Sequence, residues 1–203
     1  MAELLVLPFV ELEVRLGTIM KNKFDPSIDK KYFEKIKEQL ETGIWKQVLN
    51  KNTVEYIKSE KGSNIKLITD VSDPNKNKSE LILKENVSTQ DFQLHSSPFD
   101  VRWSVNQEFR LNTTFLKNDC VIRNKSRKSF INDDFRYDLT IVNENIDGVV
   151  KSKYEIEIEL LVNKNTLTWK NEYINDFIEC KIYDLINIVE PMEREKFKIK
   201  IIS

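Results

Sequence analysis

The chain has 203 residues, 40% apolar and 32% charged, with 32 Lys plus Arg against 33 Asp plus Glu and a formal charge of −1. That composition suits one compact domain with a buried core, excludes a disordered chain, and gives no support to a strongly basic nucleic-acid binder. One histidine and four glycines exclude zinc–histidine centres, multi-histidine hydrolases and glycine-rich phosphate loops of the GxxxxGKS or GxGxxG kind.

No apolar run approaches the ~18 residues that cross a bilayer, so no membrane contact is expected. The opening MAELLVLPFVELEVRLG lacks a basic start and meets Glu11 and Glu13 at once, unlike a secretory signal. Cys120 and Cys180 lie far apart without metal-ligand spacing and read as reduced thiols of an intracellular protein. Neither is followed by the loop and arginine of a cysteine phosphatase. Any phosphate must therefore be held by side chains on regular structure rather than by a backbone nest.

Val6–Gly17 reads as a strand: from Glu11 on, Glu11, Glu13 and Arg15 alternate with Leu12, Val14 and Leu16. Pro26 to Asn50 reads as helical, with Asp29 as N-cap, Tyr32, Phe33, Ile36 and Leu40 at helical spacing, and Gly43 as the stop. Ile44–Leu49 is expected to form a second short helix. From Thr53 the period becomes two, giving strands at Val54–Ser59, Asn64–Thr69, Ser79–Glu85 and Val87–Leu94. Turn signals lie at Lys61-Gly62 and in DVSDPNKNK. Val101–Leu111, Cys120–Ile131, Phe135–Val142 and Lys151–Val162 are longer strands, with Leu111–Asp119, Asn132–Asp134 and Asn143–Val149 as their connections. Ile174, Phe177, Ile178, Ile182, Leu185, Ile186 and Val189 form a helical stripe ended by Pro191. The tail KFKIKIIS is a last strand or the start of a linker. The pattern predicts a mainly β (α+β) fold, a closed eight-stranded antiparallel barrel with a few flanking helices.

Charge is unevenly placed. Between Arg102 and Arg136 there are eight basic residues and four acidic ones, a local +4. The carboxylates concentrate in VELEVRLG and YEIEIEL. Glu155, Glu157 and Glu159 share one strand face at about 7 Å spacing, which is tolerable in water or beside cations. Arg123, Lys125 and Arg127 form a cationic row. Arg136, Asp138 and Thr140 form a mixed one, and Arg102, Ser104, Asn106 and Glu108 another. For one strand, the simplest account is a solvated sheet face. Five such strands with acidic ends and a basic middle favour polar faces turned inward as a tunnel. Clustered carboxylate oxygens suit a hard divalent cation, Mg²⁺ or Mn²⁺. Arg and Lys rows suit polyphosphate oxygens, and the two together suit phosphoryl transfer. His95 reads as a surface or loop histidine, and Trp45, Trp103 and Trp169 as packing residues.

Four segments, VELEVRLG, PFDVRWSVNQE, RNKSRKSF with RYDLTIV, and YEIEIEL, occur in that order between Val10 and Leu160. In them the chain resembles the triphosphate tunnel metalloenzymes. More narrowly, it resembles the metal-dependent RNA 5′-triphosphatases of fungal, protozoal and DNA-virus mRNA capping.

The resemblance implies hydrolysis of the γ-phosphate from 5′-triphosphate RNA, and of nucleoside triphosphates with manganese. It implies Glu11, Glu13 and Glu159 as metal ligands, with Glu155 and Glu157 supporting the site. Lys125 and Arg127 would hold the terminal phosphate, and Glu108 would orient or deprotonate water. Lys66, Lys84, Arg102, Arg123 and Arg136 would line the phosphate path, with Arg15, Asp138 and Thr140 as braces. Lys66 stands where an arginine is expected, and a lysine offers no bidentate fork.

Residues 1–203 would form a single tunnel domain. Guanylyltransferase and methyltransferase domains of the same polypeptide or complex are the implied partners, in the nucleus, or in cytoplasm or virion if viral. No KxDG motif occurs, so guanylyl transfer by this chain itself is not expected. The alternatives are another tunnel enzyme (a tripolyphosphatase, thiamine triphosphatase or adenylyl cyclase) or a non-catalytic module that binds a phosphorylated ligand.

Overall fold

The computed structural model describes residues 7–60, 63–94, 97–146, 149–194, 197 and 199–201. Its strands are β1 (Val10–Met20), β2 (Lys23–Asp25), β3 (Gln47–Glu60), β4 (Ser63–Asp70), β5 (Lys78–Leu94), β6 (Asp100–Arg110), β7 (Val121–Ile131), β8 (Phe135–Ile146), β9 (Val149–Leu160) and β10 (Ile199–Ile201). The helices are α1 (Lys30–Glu41) and α2 (Asn171–Val189). Eight strands close antiparallel in the order β1, β6, β5, β4, β3, β7, β8, β9 and back to β1. The expected barrel is what forms.

Alternation divides each strand between two environments. On β1, Leu12, Val14 and Leu16 are buried on the outside, and so are Ile156, Ile158 and Leu160 of β9 and Tyr137 and Leu139 of β8. The helices lie on that outer face. Phe33, Ile36 and Leu40 of α1 and Ile174, Ile178, Ile182, Leu185 and Ile186 of α2 complete one core. Each such side chain contributes roughly 1.5–3 kcal/mol when removed from water. The Tyr137 hydroxyl donates to the Lys181 carbonyl at 3.4 Å, which places that face of β8 against α2. The hydrophobic core therefore lies between barrel and helices, and the lumen is left to the polar faces.

Asp29 caps α1, its side chain accepting from Lys31 N at 2.9 Å. The helix ends at Glu41 with Thr42 as C-cap, next to the expected stop at Gly43, and the short helix expected at Ile44–Leu49 does not form. Gln47 already pairs with Ile131, and the ladder runs without a break to Ile57 and Val121. Strand pairing along β7 overrides the local helical signal, and Ile44 is left 97% exposed. The two strands expected at Ser79–Glu85 and Val87–Leu94 are one strand with a register shift between Asn86 and Ser88. The connection expected at Asn143–Val149 is shorter, because pairing of β8 with β9 persists to Ile146 and Val149.

The first strand starts at Val10, after residues 7–9 in a turn, and continues to Met20, while Val6, its expected start, lies outside the described residues. It then turns through Lys21 and Asn22, both at positive φ (51° and 60°), as a two-residue hairpin turn requires. The hairpin brings β2 back so tightly that a Cβ on Gly17 would lie 2.2 Å from the Asp25 carbonyl and 2.5 Å from the Phe24 ring. Of the two readings of the tail, the strand holds: β10 pairs with the end of β5. Trp45 packs on Phe130, Phe135 and Tyr137, Trp103 on Phe92, and Trp169 on Tyr173 and Phe177. His95 and the Lys61-Gly62 turn lie outside the described residues.

Candidate active site

β1 and β9 are hydrogen-bonded neighbours, with Glu13 opposite Glu159 and Arg15 opposite Glu157. Their inward faces therefore put Glu11, Glu13, Glu155, Glu157 and Glu159 on one wall. Such a wall needs internal compensation. Arg15 lies 3.1 Å from Glu13 and 2.8 Å from Glu157, and Arg127 reaches Glu157 from β7 at 2.9 Å. Burial alone would raise the Glu157 carboxyl, but Arg15 and Arg127 hold it well below the usual carboxylate range. Burial would likewise lower both arginines, yet the carboxylates outweigh it and both are raised.

The facing walls carry the cations. Lys84 of β5 donates to Glu11, lies 3.2 Å from Glu13 and 3.3 Å from Glu108, and is raised by them against its burial. Lys125 pairs with Glu55 of β3 at 3.0 Å. Arg127 donates to Thr140 at 3.0 Å and to Asp138 at 2.8 Å. Asp138, only 1% exposed, also accepts from Ser129 at 2.5 Å and Arg136 at 3.0 Å, and Arg136 donates on to Glu159. Asp138 and Thr140 thus fix two arginines at once, which satisfies a charge that could not be buried alone.

Whether these residues fit a metal ion turns on Glu11 and Glu159. Burial and the neighbouring Glu11 carboxylate push the Glu159 carboxyl well up. Both carboxyls are half-buried, Glu11 paired with Lys84 and Glu159 with Arg136, and once both are ionised they repel each other, which a cation between them would relieve. The donors are all oxygens, as a hard divalent ion requires. Among the described residues no three acidic, thiol or imidazole groups converge on one point. Glu13 instead bonds Lys84, Arg15 and the Asn106 amide, the last at 3.2 Å.

Above this layer opens a cavity of about 420 Å³ lined by Glu13, Arg15, Lys66, Lys84, Arg102, Arg123, Lys125 and Glu155, with Asn64, Asn86, Thr89, Ser104 and Asn106 between them. That volume lies within the ~300–1,000 Å³ of small-ligand sites. Lys66 of β4 has no carboxylate within ion-pair distance among the described residues, and burial plus repulsion from Lys84 and Lys125 push it down to about 8. It is an ammonium awaiting an anion. Arg102 and Arg123 differ: Arg102 is gripped by Asp91 at 2.7 and 2.9 Å, and Arg123 lies 2.7 Å from Glu144, which Lys153 also approaches at 3.0 Å. A second cavity of about 120 Å³, lined by Lys51, Thr53, Glu55, Lys125 and Arg127, lies on the far side of the Lys125–Glu55 pair.

Every site residue expected from sequence faces the barrel interior. Glu55, Asp91, Glu144 and Phe24 were not foreseen. Each is a single side chain whose partner lies on another strand, so no local motif marks it.

A model of the family described as mRNA capping enzyme, beta chain, matches residues 10–188. No sequence among the curated proteins is recognisably similar. Among solved structures, the chain resembles the S. pombe Pct1 RNA triphosphatase at a TM-score of 0.73 and 16% identity, over 91% of this chain and 88% of that one. The same protein in complex with the Spt5 CTD gives 0.72 and 16%, over 91% and 90%. The Mimivirus capping enzyme triphosphatase gives 0.62 and 17%, over 92% and 95%. With nearly nine-tenths of its length matched and the tunnel intact, the chain belongs to the mRNA capping enzyme beta-chain family of RNA 5′-triphosphatases.

Proposed function

We propose that the chain hydrolyses the γ–β phosphoanhydride of 5′-triphosphate RNA, the first step of cap formation, and also accepts free nucleoside triphosphates. The observation that carries this reading is the Lys66 ammonium, without an ion-pair partner among the described residues, in a cationic cavity beside the wall of carboxylates on β1 and β9. Lys66, Lys84 and Lys125 bind the phosphate chain. Arg127, held in place by Thr140, Asp138 and Glu157, offers preplaced positive charge where negative charge develops. Glu108 stands 3.3 Å from Lys84 and orients the attacking water. Glu11, Glu13 and Glu159 are the residues that would hold Mg²⁺ or Mn²⁺. When bound, the ion neutralises phosphoryl oxygens during transfer.

No cysteine or histidine among the described residues lines the cavity, which agrees with direct attack by water rather than a covalent intermediate. The test is phosphate release from γ-labelled triphosphate RNA with and without Mg²⁺ or Mn²⁺. Release that needs the ion and is lost in Glu11→Ala or Glu159→Ala, both still folded, is the expected result. A folded wild-type chain inactive with every divalent ion would leave only a phosphate-binding module.

A further inference from the structure

The β5–β6 ladder orders four cross-strand pairs along one wall of the tunnel: Lys84 with Glu108, Asn86 with Asn106, Thr89 with Ser104, and Asp91 with Arg102. From Glu108 to Arg102 is six residues, about 20 Å of strand, long enough for a nucleoside triphosphate laid along it. Chemistry changes in step. The first pair is charged, the middle two are neutral amides and hydroxyls, and the last is a guanidinium held in place.

Arg102 is held from two sides. Nε and Nη2 donate to the two Asp91 oxygens at 2.7 and 2.9 Å, which uses one of its two bidentate edges and offsets its charge. The Phe24 ring lies against the guanidinium plane, 4.7 Å from carbon to centroid. Phe24 reaches that position because Gly17 leaves room beneath the β1–β2 hairpin. Arg102 so fixed is a poor phosphate ligand, contrary to the role expected from sequence, but it still lines the large cavity. A planar cation backed by an aromatic ring is a surface on which a nucleobase stacks.

We propose that Arg102, positioned by Asp91 and Phe24, is the stacking shelf for the first nucleobase of the substrate, with Asn86, Thr89 and Ser104 facing its ribose. This rests on the triphosphatase reading and adds a direction to it. The base lies toward the β1–β2 hairpin, and the terminal phosphate toward Glu11 and Glu159. The shelf separates nucleotide-bearing substrates from bare polyphosphate.

The 203-residue chain is assayed by phosphate release with Mn²⁺ on triphosphate RNA, ATP and tripolyphosphate. Stacking worth ~1–3 kcal/mol per base predicts that Arg102→Ala lowers the ratio of kcat/KM for ATP over tripolyphosphate by about tenfold or more, chiefly through KM. Asp91→Asn lowers it in the same direction. As a measurement independent of turnover, Phe24→Trp adds a fluorescence signal that ATP quenches and tripolyphosphate does not. An unchanged ratio, or equal quenching by both ligands, overturns the shelf while triphosphatase activity stands. A wild-type chain that releases no phosphate from any of the three overturns the triphosphatase reading, and the shelf with it.

Discussion

Lys66 shows how one side chain can be tuned for its ligand. Its neighbours Lys84 and Lys125 are paired with carboxylates, and it is not. Burial and their repulsion leave it at about 8 against an ordinary 10.5. Between those values the unfolded chain binds the proton more tightly than the native one, so stability of the free protein rises with pH across that window and is lowest below it. Lys66→Met is therefore expected to stabilise the free protein at pH 7 by about 1–3 kcal/mol, read as a rise in Tm, while weakening triphosphate binding at least tenfold. In the wild type kcat/KM should fall as pH climbs past 8, where the ammonium is lost. Lys66→Arg should hold activity to higher pH, since a guanidinium stays charged. A wild-type profile flat to pH 9.5 would remove Lys66 from the binding step.

At the level of elements, period-two alternation was the reliable signal and local propensity was not. Glu155, Glu157 and Glu159 alternate with Ile156, Ile158 and Leu160 in the sequence, and every one of them lies on the face that alternation assigns. Ile44–Leu49 failed because its fate depends on β7, some 80 residues away in the chain. The β1–β2 hairpin was missed because neither Lys21-Asn22 nor a three-residue strand is a strong turn or strand pattern. That hairpin supplies a sharp test. Gly17→Ala would drive a methyl into the Asp25 carbonyl, and a clash with backbone cannot be relieved by a rotamer change. The expected cost is about 1–3 kcal/mol, or roughly 2–12 °C in Tm, together with a loss of discrimination between ATP and tripolyphosphate as Phe24 shifts. Wild-type melting and selectivity in the variant would show that the close approach is not needed.

For the molecule as a whole, opposite shifts share one wall. Glu157, held low, contributes stability above the ordinary glutamate range that is lost as pH falls through its lowered value. Glu159, pushed up, costs stability as pH rises above that range. A divalent ion at Glu11 and Glu159 would displace the proton that Glu159 holds, so its stabilising effect should be larger at pH 7 than at pH 5. At about 100 times its Kd the ion adds ~2.7 kcal/mol, a Tm rise of several degrees, which EDTA reverses and Glu159→Gln largely removes. Equal shifts at both pH values, or a full shift in Glu159→Gln, would place the ion elsewhere.

The order of acidic and basic strands, the residue types that suit a triphosphate and a hard ion, and the two-face character of each strand were all written in the chain, because side-chain alternation is a local property of extended backbone. Which face became the lumen was decided by closure: α1 and α2 cover the apolar sides of β1, β8 and β9, and the polar sides have only each other. Register then settled which cations are free and which are committed. Lys66 found no carboxylate across the lumen, whereas Asp91 stood opposite Arg102 and Glu144 opposite Arg123. Both pairings join consecutive strands, but which side chains stand opposite each other depends on ladder register, including the shift between Asn86 and Ser88, and no local pattern encodes it.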